Sequence, residues 1–213
     1  GLTVFATGGL GGVHYGAEET GDVSADIAQL AHRADGMCVV CAGVKSILDI
    51  PKTLERFETE GIPVLALGQD HFPAFYRRSS GVSVRRVNSP KEVAQHMQAT
   101  KALRLGSAVV LGVPVPREAE ADADTIERAI SRALAEADQE KIGGSQVTPF
   151  ILGRVAKETG GKSIATNVAL LVNNASVASQ VAHEFSTISA AAASRPQRPP
   201  EVAPHRNPMV LVM

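Results

Sequence analysis

Five short apolar runs alternate with longer stretches of helical periodicity, and that alternation constrains this chain more than any other feature. The runs lie at 2–7, 37–42, 63–67, 82–86 and 107–113. Helical patterns lie near 24–34, 51–60, 90–104, 122–139, 149–158 and 163–185. Strands joined through helices run parallel and are covered on both faces. The expected fold is therefore α/β: a layered α/β/α domain around a largely parallel β-sheet. Such a core needs apolar residues, and they make up 44% of the 213 positions. Aromatics are only 4% and Trp is absent, so Ala, Val, Leu and Ile must do the packing.

Local signals mark several helix ends. Ser89-Pro90-Lys91-Glu92 reads as a capping box with Pro at the first helical position. Thr148-Pro149 opens another helix and Gly160-Gly161 closes it. Small residues, among them Ala165, Ala169, Ala175 and Ser179, fill the last helix and permit close approach of a neighbouring backbone. Past about Phe185 the chain turns Ala- and Pro-rich. Proline at that density builds neither helix nor central strand. The expected division is a domain over 1–186 and a flexible tail over 187–213.

Charge and cysteine content exclude several classes. Net charge is −1, so nothing draws the whole chain to nucleic acid or an acidic membrane. No apolar stretch reaches the ~20 residues that span a bilayer. Cys38 and Cys41 resemble a metal or redox pair only by spacing. In a strand, residues three apart point to opposite faces, and opposed thiols cannot share a metal. Two buried thiols without a disulfide framework fit a reducing cytoplasm. The chain opens on Gly1 and enters a strand at once, so an N-terminal part is expected before it.

The residues with chemical promise cluster after the first two strands. Gly8-Gly9-Leu10-Gly11-Gly12 follows the first, where a glycine-rich turn can bring backbone N–H groups to a phosphate. It is not a dinucleotide fingerprint, because counting from Gly9 puts His14 at the third glycine. Gly160-Gly161-Lys162-Ser163 is not a P-loop, since Ala156 stands where its first glycine belongs. Asp22-Val23-Ser24-Ala25-Asp26 places two carboxylates four apart around a hydroxyl, which suits either a divalent cation and a polyol or a helix cap. Lys45 lies just past the second strand, where open parallel sheets bind ligands. Partial desolvation there favours the neutral, nucleophilic amine. Asn167 and Asn174, seven apart, share a face of the last helix.

Together these pieces resemble one family. Val4 to His14, Gly16-Ala17-Glu18, Asp22 to Asp26, and Val39 to Asp49 are similar to the pseudouridine-5′-phosphate glycosidases, also called the indigoidine synthase A family. So are Phe72-Pro73-Ala74-Phe75, Val147-Thr148-Pro149-Phe150, Gly160-Gly161-Lys162-Ser163 and Asn173-Asn174-Ala175. The resemblance implies that Lys45 bonds covalently to ribose C1′. It implies that Asp22 is the carboxylate associated with Mn2+, and that Ser24, Ala25 and Asp26 touch the sugar phosphate. Thr7, His14 and Asn167 match further pocket positions. The implied reaction is reversible: pseudouridine 5′-phosphate and water give uracil and ribose 5-phosphate. A cytoplasmic homotrimer is implied as well.

Two departures qualify the match. The family carries a catalytic acid and a second lysine in an N-terminal part that precedes the present first strand. Tyr15 stands where the family usually has Arg, which removes a guanidinium from an anion site or a subunit contact. One alternative is therefore a truncated non-catalytic fragment or assembly subunit of the same family. Another, resting on strand–glycine–helix order alone, is a Rossmann-like nucleotide binder.

Overall fold

A computed structural model describes residues 2–32, 34 and 36–193. It contains five strands: β1 (Val4–Ala6), β2 (Cys38–Cys41), β3 (Val64–Leu67), β4 (Arg85–Val87) and β5 (Val109–Gly112). The helices are α1 (Ala17–Thr20), α2 (Ala25–His32), α3 (Ile50–Thr59), α4 (Pro90–Ala102), α5 (Ala123–Gln139), α6 (Val147–Glu158) and α7 (Lys162–Ala193). All five strands pair in parallel, in the order β1-β2-β5-β3-β4. Every strand therefore delivers its carboxyl end, and the loop that follows, to one rim of the sheet.

Both faces of the sheet are covered, as parallel pairing requires. Residues alternate between them: Val39, Cys41 and Val110 join Ile27, Phe57, Ile126 and Val155 on one side. Cys38, Val40, Val109 and Leu111 join Val93, Met97, Val177 and Val181 on the other. The first cluster lies beneath α2, α3, α5 and α6, the second beneath α4 and α7. The two cysteines accordingly occupy different clusters, and both are fully buried and free.

The expected elements are present with shifted ends. Ser89 Oγ accepts the Glu92 amide at 3.2 Å, as a capping box requires. The Glu92 carboxylate takes the amide of Asn88, at 2.9 Å, rather than that of Ser89. α7 continues to Ala193, well past the expected start of the tail at 187, because Ala190 to Ala193 are strong helix formers. Positions 194–213 lie outside the described residues. α1 has only four residues, closed at both ends by left-handed glycines, Gly16 and Gly21, and leaves no periodicity to read.

Candidate functional site

The loops after β1 and β2 are laced together. Beyond β1, the Thr7 amide donates to Val40 O at 2.9 Å, and the Leu10 amide to Gly43 O at 3.0 Å. The Lys45 amide returns a bond to Leu10 O at 2.9 Å. Leu10 and Val44 thus form a parallel bridge past the end of the sheet. Lys45 is fixed at its backbone against the glycine loop and is half-buried. Its ammonium makes no hydrogen bond or ion pair among the described residues.

Glycine is required in this loop for room. A carbon added to Gly11 would collide with Ser24 Oγ and lie 2.8 Å from Asp26 Oδ2. The bare backbone lets the Gly11 amide donate to Asp26 Oδ2 at 2.7 Å, while Ser24 Oγ accepts the Asp26 amide at 3.2 Å. Gly9 meets the ring of Phe75, whose edge would lie 2.6 Å from an added carbon. Phe75 itself holds a positive φ of 61°, an uncommon state for a bulky residue. The Phe72–Phe75 loop therefore clamps both strand tips: the Phe75 amide also donates to Ala42 O at 2.8 Å.

Two further latches come from distant chain. Asn174, fully buried on α7, donates from Nδ2 to Thr7 O at 2.8 Å, and its Oδ1 has no partner. Asn167, on the same face, brings Oδ1 to 3.5 Å from a carbon placed on Gly8. Thr53, buried on α3, accepts the Val13 amide at 2.9 Å.

Thr7, Gly9 and Asp26 line one cleft of about 190 Å³ between β1 and α2, together with Phe5, Gln29 and Leu30. A second hollow, about 430 Å³, is lined by Tyr15, Ser46, Leu48, Arg77 and Glu127. Lys45 lines neither of these two; its neighbour Ser46 borders the second, and Leu10, whose carbonyl its amide bonds, borders the first. In the second hollow Arg77 pairs with Glu127 at 2.8 Å. Partial burial pushes the Tyr15 phenol up, Asp49 and Glu127 add to this, and Arg77 opposes it. Arg77 thus supplies a guanidinium to the hollow that Tyr15 borders.

Of the expected site residues only Thr7 and Asp26 line the cleft; Ser24, Ala25, Lys45, Asn167, His14 and Asp22 do not. Asp22 and His14 face each other instead, with Nδ1 3.8 Å from Oδ2, and the Asp22 carboxylate is 60% exposed. The His14 amide donates to Asp22 O at 3.1 Å, so the two are held as a pair. No group of three or more His, Cys, Asp or Glu among the described residues is placed to hold a metal ion. One exposed carboxylate still suits a hard divalent cation that keeps most of its water shell. No described helix is long and apolar enough to cross a membrane.

Phe75, Asn174 and Thr53 were given no role by the sequence reading. The Phe-Pro-Ala-Phe motif and the seven-residue spacing of Asn167 and Asn174 were the available signals. Thr53 left none.

Known proteins match this arrangement. The family model for indigoidine synthase A-like protein matches residues 1–184. A pseudouridine-5′-phosphate glycosidase of Deinococcus radiodurans is 50% identical over 189 residues, covering 88% of this chain and 60% of the relative. That of Herpetosiphon aurantiacus is 51% identical over 183 residues, covering 85% and 60%. The chain thus spans about three-fifths of the length of these curated relatives. Among solved structures, the prealnumycin C-glycosynthase AlnA in complex with ribulose 5-phosphate superposes with a TM-score of 0.81 at 35% identity, covering 88% of this chain and 61% of that one. An indigoidine synthase A-like protein from Thermotoga maritima gives 0.75 at 35% identity, covering 83% and 57%. With the match running through both strand-tip loops and on to α7, the chain belongs to the indigoidine synthase A-like family.

Proposed function

We propose that this site cleaves, reversibly, the carbon–carbon glycosidic bond of pseudouridine 5′-phosphate, giving uracil and ribose 5-phosphate, with Lys45 as the nucleophile. One observation carries the reading: Lys45 is held by its backbone at a parallel strand tip against a glycine loop, with its ammonium unpaired among the described residues. The curated relatives support it, since they bear the name of this activity.

The bond type explains why an amine is wanted. Ordinary glycosidases use two carboxylates and a heteroatom leaving group. Here the leaving atom is carbon, and simple departure would leave a uracil carbanion. In the proposed course Lys45 Nζ bonds to C1′ as the ring C1′–O bond opens, and the freed oxygen takes up a proton. The nitrogen lone pair then forms an imine as the C1′–C5 bond breaks, and uracil C5 receives a proton from a general acid. Water hydrolyses the imine, which releases ribose 5-phosphate and restores the amine.

The other residues bind and orient. The segment Ser24-Ala25-Asp26, locked to Gly11, takes the sugar phosphate and polyol. Thr7 borders the cleft, and Asn167 approaches the neighbouring Gly8 from α7. Asp22, paired with His14, would hold Mn2+, whose charge when bound orients water and substrate oxygens. We assign a homotrimeric, cytoplasmic enzyme; the two free buried thiols suit a reducing compartment.

The test is synthesis in the reverse direction. The protein is incubated with uracil, ribose 5-phosphate and Mn2+, and products are separated by liquid chromatography. Pseudouridine 5′-phosphate is the expected product, and Lys45→Ala should abolish it. Product formation unchanged by Lys45→Ala would overturn the reading, and so would no product from the chain supplied with the part of the Deinococcus radiodurans relative that lies outside its 189 matched residues.

A further inference from the structure

Three strand tips carry glycine for one shared reason. Past β1, a carbon added to Gly9 would lie 2.6 Å from the Phe75 ring. Past β2, one on Gly43 would collide with the Pro73 carbonyl. At the end of β5, one on Gly112 would lie 2.6 Å from Pro73 Cδ and 2.9 Å from the Phe72 ring. The loop joining β3 to β4 therefore wedges Phe72, Pro73 and Phe75 into gaps that only bare backbone leaves open. The wedge also reaches Lys45, whose amide nitrogen would lie 3.2 Å from the carbon added to Gly9. The Phe75 ring and the Lys45 main chain thus crowd the same side of Gly9.

A side chain at the base of the loop closes it. Gln69 Nε2 donates to His71 O at 2.6 Å and to Arg78 O at 2.7 Å. Of the atoms in that side chain, only the amide nitrogen with its two N–H bonds can serve two carbonyls. The wedge residues 72–77 lie between the two acceptors. The far end is braced as well: Arg78 Nη1 donates to Val115 O at 2.6 Å, and the Arg78 amide to Glu120 Oε1 at 2.9 Å. Inside the loop, the positive φ of Phe75 persists only while its surroundings enforce it. We propose that Gln69 is a positioning residue for Lys45. Its amide holds the loop closed and seats Phe75 against Gly9, and that seat fixes the Lys45 main chain against Leu10. The proposal rests on Lys45 being the nucleophile, as read above. A reacting group displaced by about an ångström loses on the order of a hundred-fold in rate. Separate bonds lock the segment Ser24-Ala25-Asp26 to Gly11, so sugar-phosphate binding should be spared.

Two readouts separate the loop closure from the reaction. Amide exchange reads the Lys45 N–H, which is bonded to Leu10 O. Borohydride trapping with ribose 5-phosphate reads the Lys45 amine, in the chain supplied with the part of the Deinococcus radiodurans relative that lies outside its 189 matched residues. Gln69→Glu removes both donors and sets an acceptor against the two carbonyls. Exchange at Lys45 should quicken and trapping slow by about ten-fold or more, with the half-saturating sugar phosphate unchanged. Gln69→Lys keeps two donors and should recover most of the rate. Gln95→Glu, the same charge change at an exposed position on α4, should alter neither readout. Unchanged exchange at Lys45, trapping in Gln69→Glu as fast as in the unaltered protein, or a loss that Gln69→Lys does not relieve, would overturn the proposal. So would weaker sugar-phosphate binding at an unchanged maximal rate. An adduct absent from Lys45 in every variant would overturn the reaction reading, and exchange at Lys45 would then decide the role of Gln69 alone.

Discussion

The amide of Gly11 donates a hydrogen bond to Asp26 Oδ2 over 2.7 Å, tying the glycine loop after β1 to the first turn of α2. The contact is possible because nothing projects from Gly11. An added methyl would meet Ser24 Oγ and crowd Asp26. Gly11→Ala should therefore displace the segment Ser24-Ala25-Asp26, to which we assign the sugar phosphate. Expected are weaker ribose 5-phosphate binding by about ten-fold, or about 1.4 kcal/mol, and a stability loss of about 1–3 kcal/mol. Isothermal titration and thermal melting measure the two effects.

Gly43 presents a second crowded position. Its φ is +103°, and an added carbon would collide with the carbonyl of Pro73. Strain and collision act together in Gly43→Ala, which should cost about 2–4 kcal/mol. The urea midpoint should fall while the slope is kept. Gly143→Ala, in open space without positive φ, is the control and should change little.

The Asn174 amide links α7 to the carbonyl of Thr7 with no exposure to water. Asn174→Ala leaves that carbonyl without its partner and should destabilise by about 1–3 kcal/mol. For a chain of this size the melting point should drop by about 2–4 °C per kcal/mol. Because Thr7 borders the cleft, apparent affinity for uracil should fall too. A fall in stability with unchanged affinity would confine Asn174 to packing.

The two thiols set an alkaline limit. Burial raises both above the ordinary thiol value of 9.0, Cys41 to about 12 and Cys38 further, with Cys41 adding to the rise at Cys38. A folded-state value raised above the unfolded one gives stability that is complete below about pH 9 and lost as pH climbs. The slope should be about 1.4 kcal/mol per pH unit for each thiol above that point. Cys38→Ala with Cys41→Ala should flatten the slope between pH 9 and 11 in urea titrations. In the native protein at pH 8, Ellman's reagent should find neither thiol.

Much of this molecule was legible because its signals are local. Five strands were readable from apolar runs, and so was the position of Lys45 just past the second of them. The cysteines were assigned to opposite faces by strand geometry, and the two clusters bear this out. The contacts that shape the site are long-range: Asn174 reaches Thr7 across 167 positions, and Thr53 reaches Val13 across 40. Such pairs leave no periodicity. The positive φ of Phe75 was equally hidden, because a bulky residue is the last expected there. Asp22 was read with Asp26 as one acidic group, yet the turn at Gly21 sends Asp22 to His14 and leaves Asp26 to Gly11.

The central claim concerns one amine, and chemical trapping reads it directly. The protein is incubated with ribose 5-phosphate, reduced with borohydride, digested and mapped by mass spectrometry. The account predicts a pentitol phosphate joined through a secondary amine to Lys45, and none in Lys45→Arg. An adduct on a different lysine, or no adduct at saturating sugar phosphate, would contradict it.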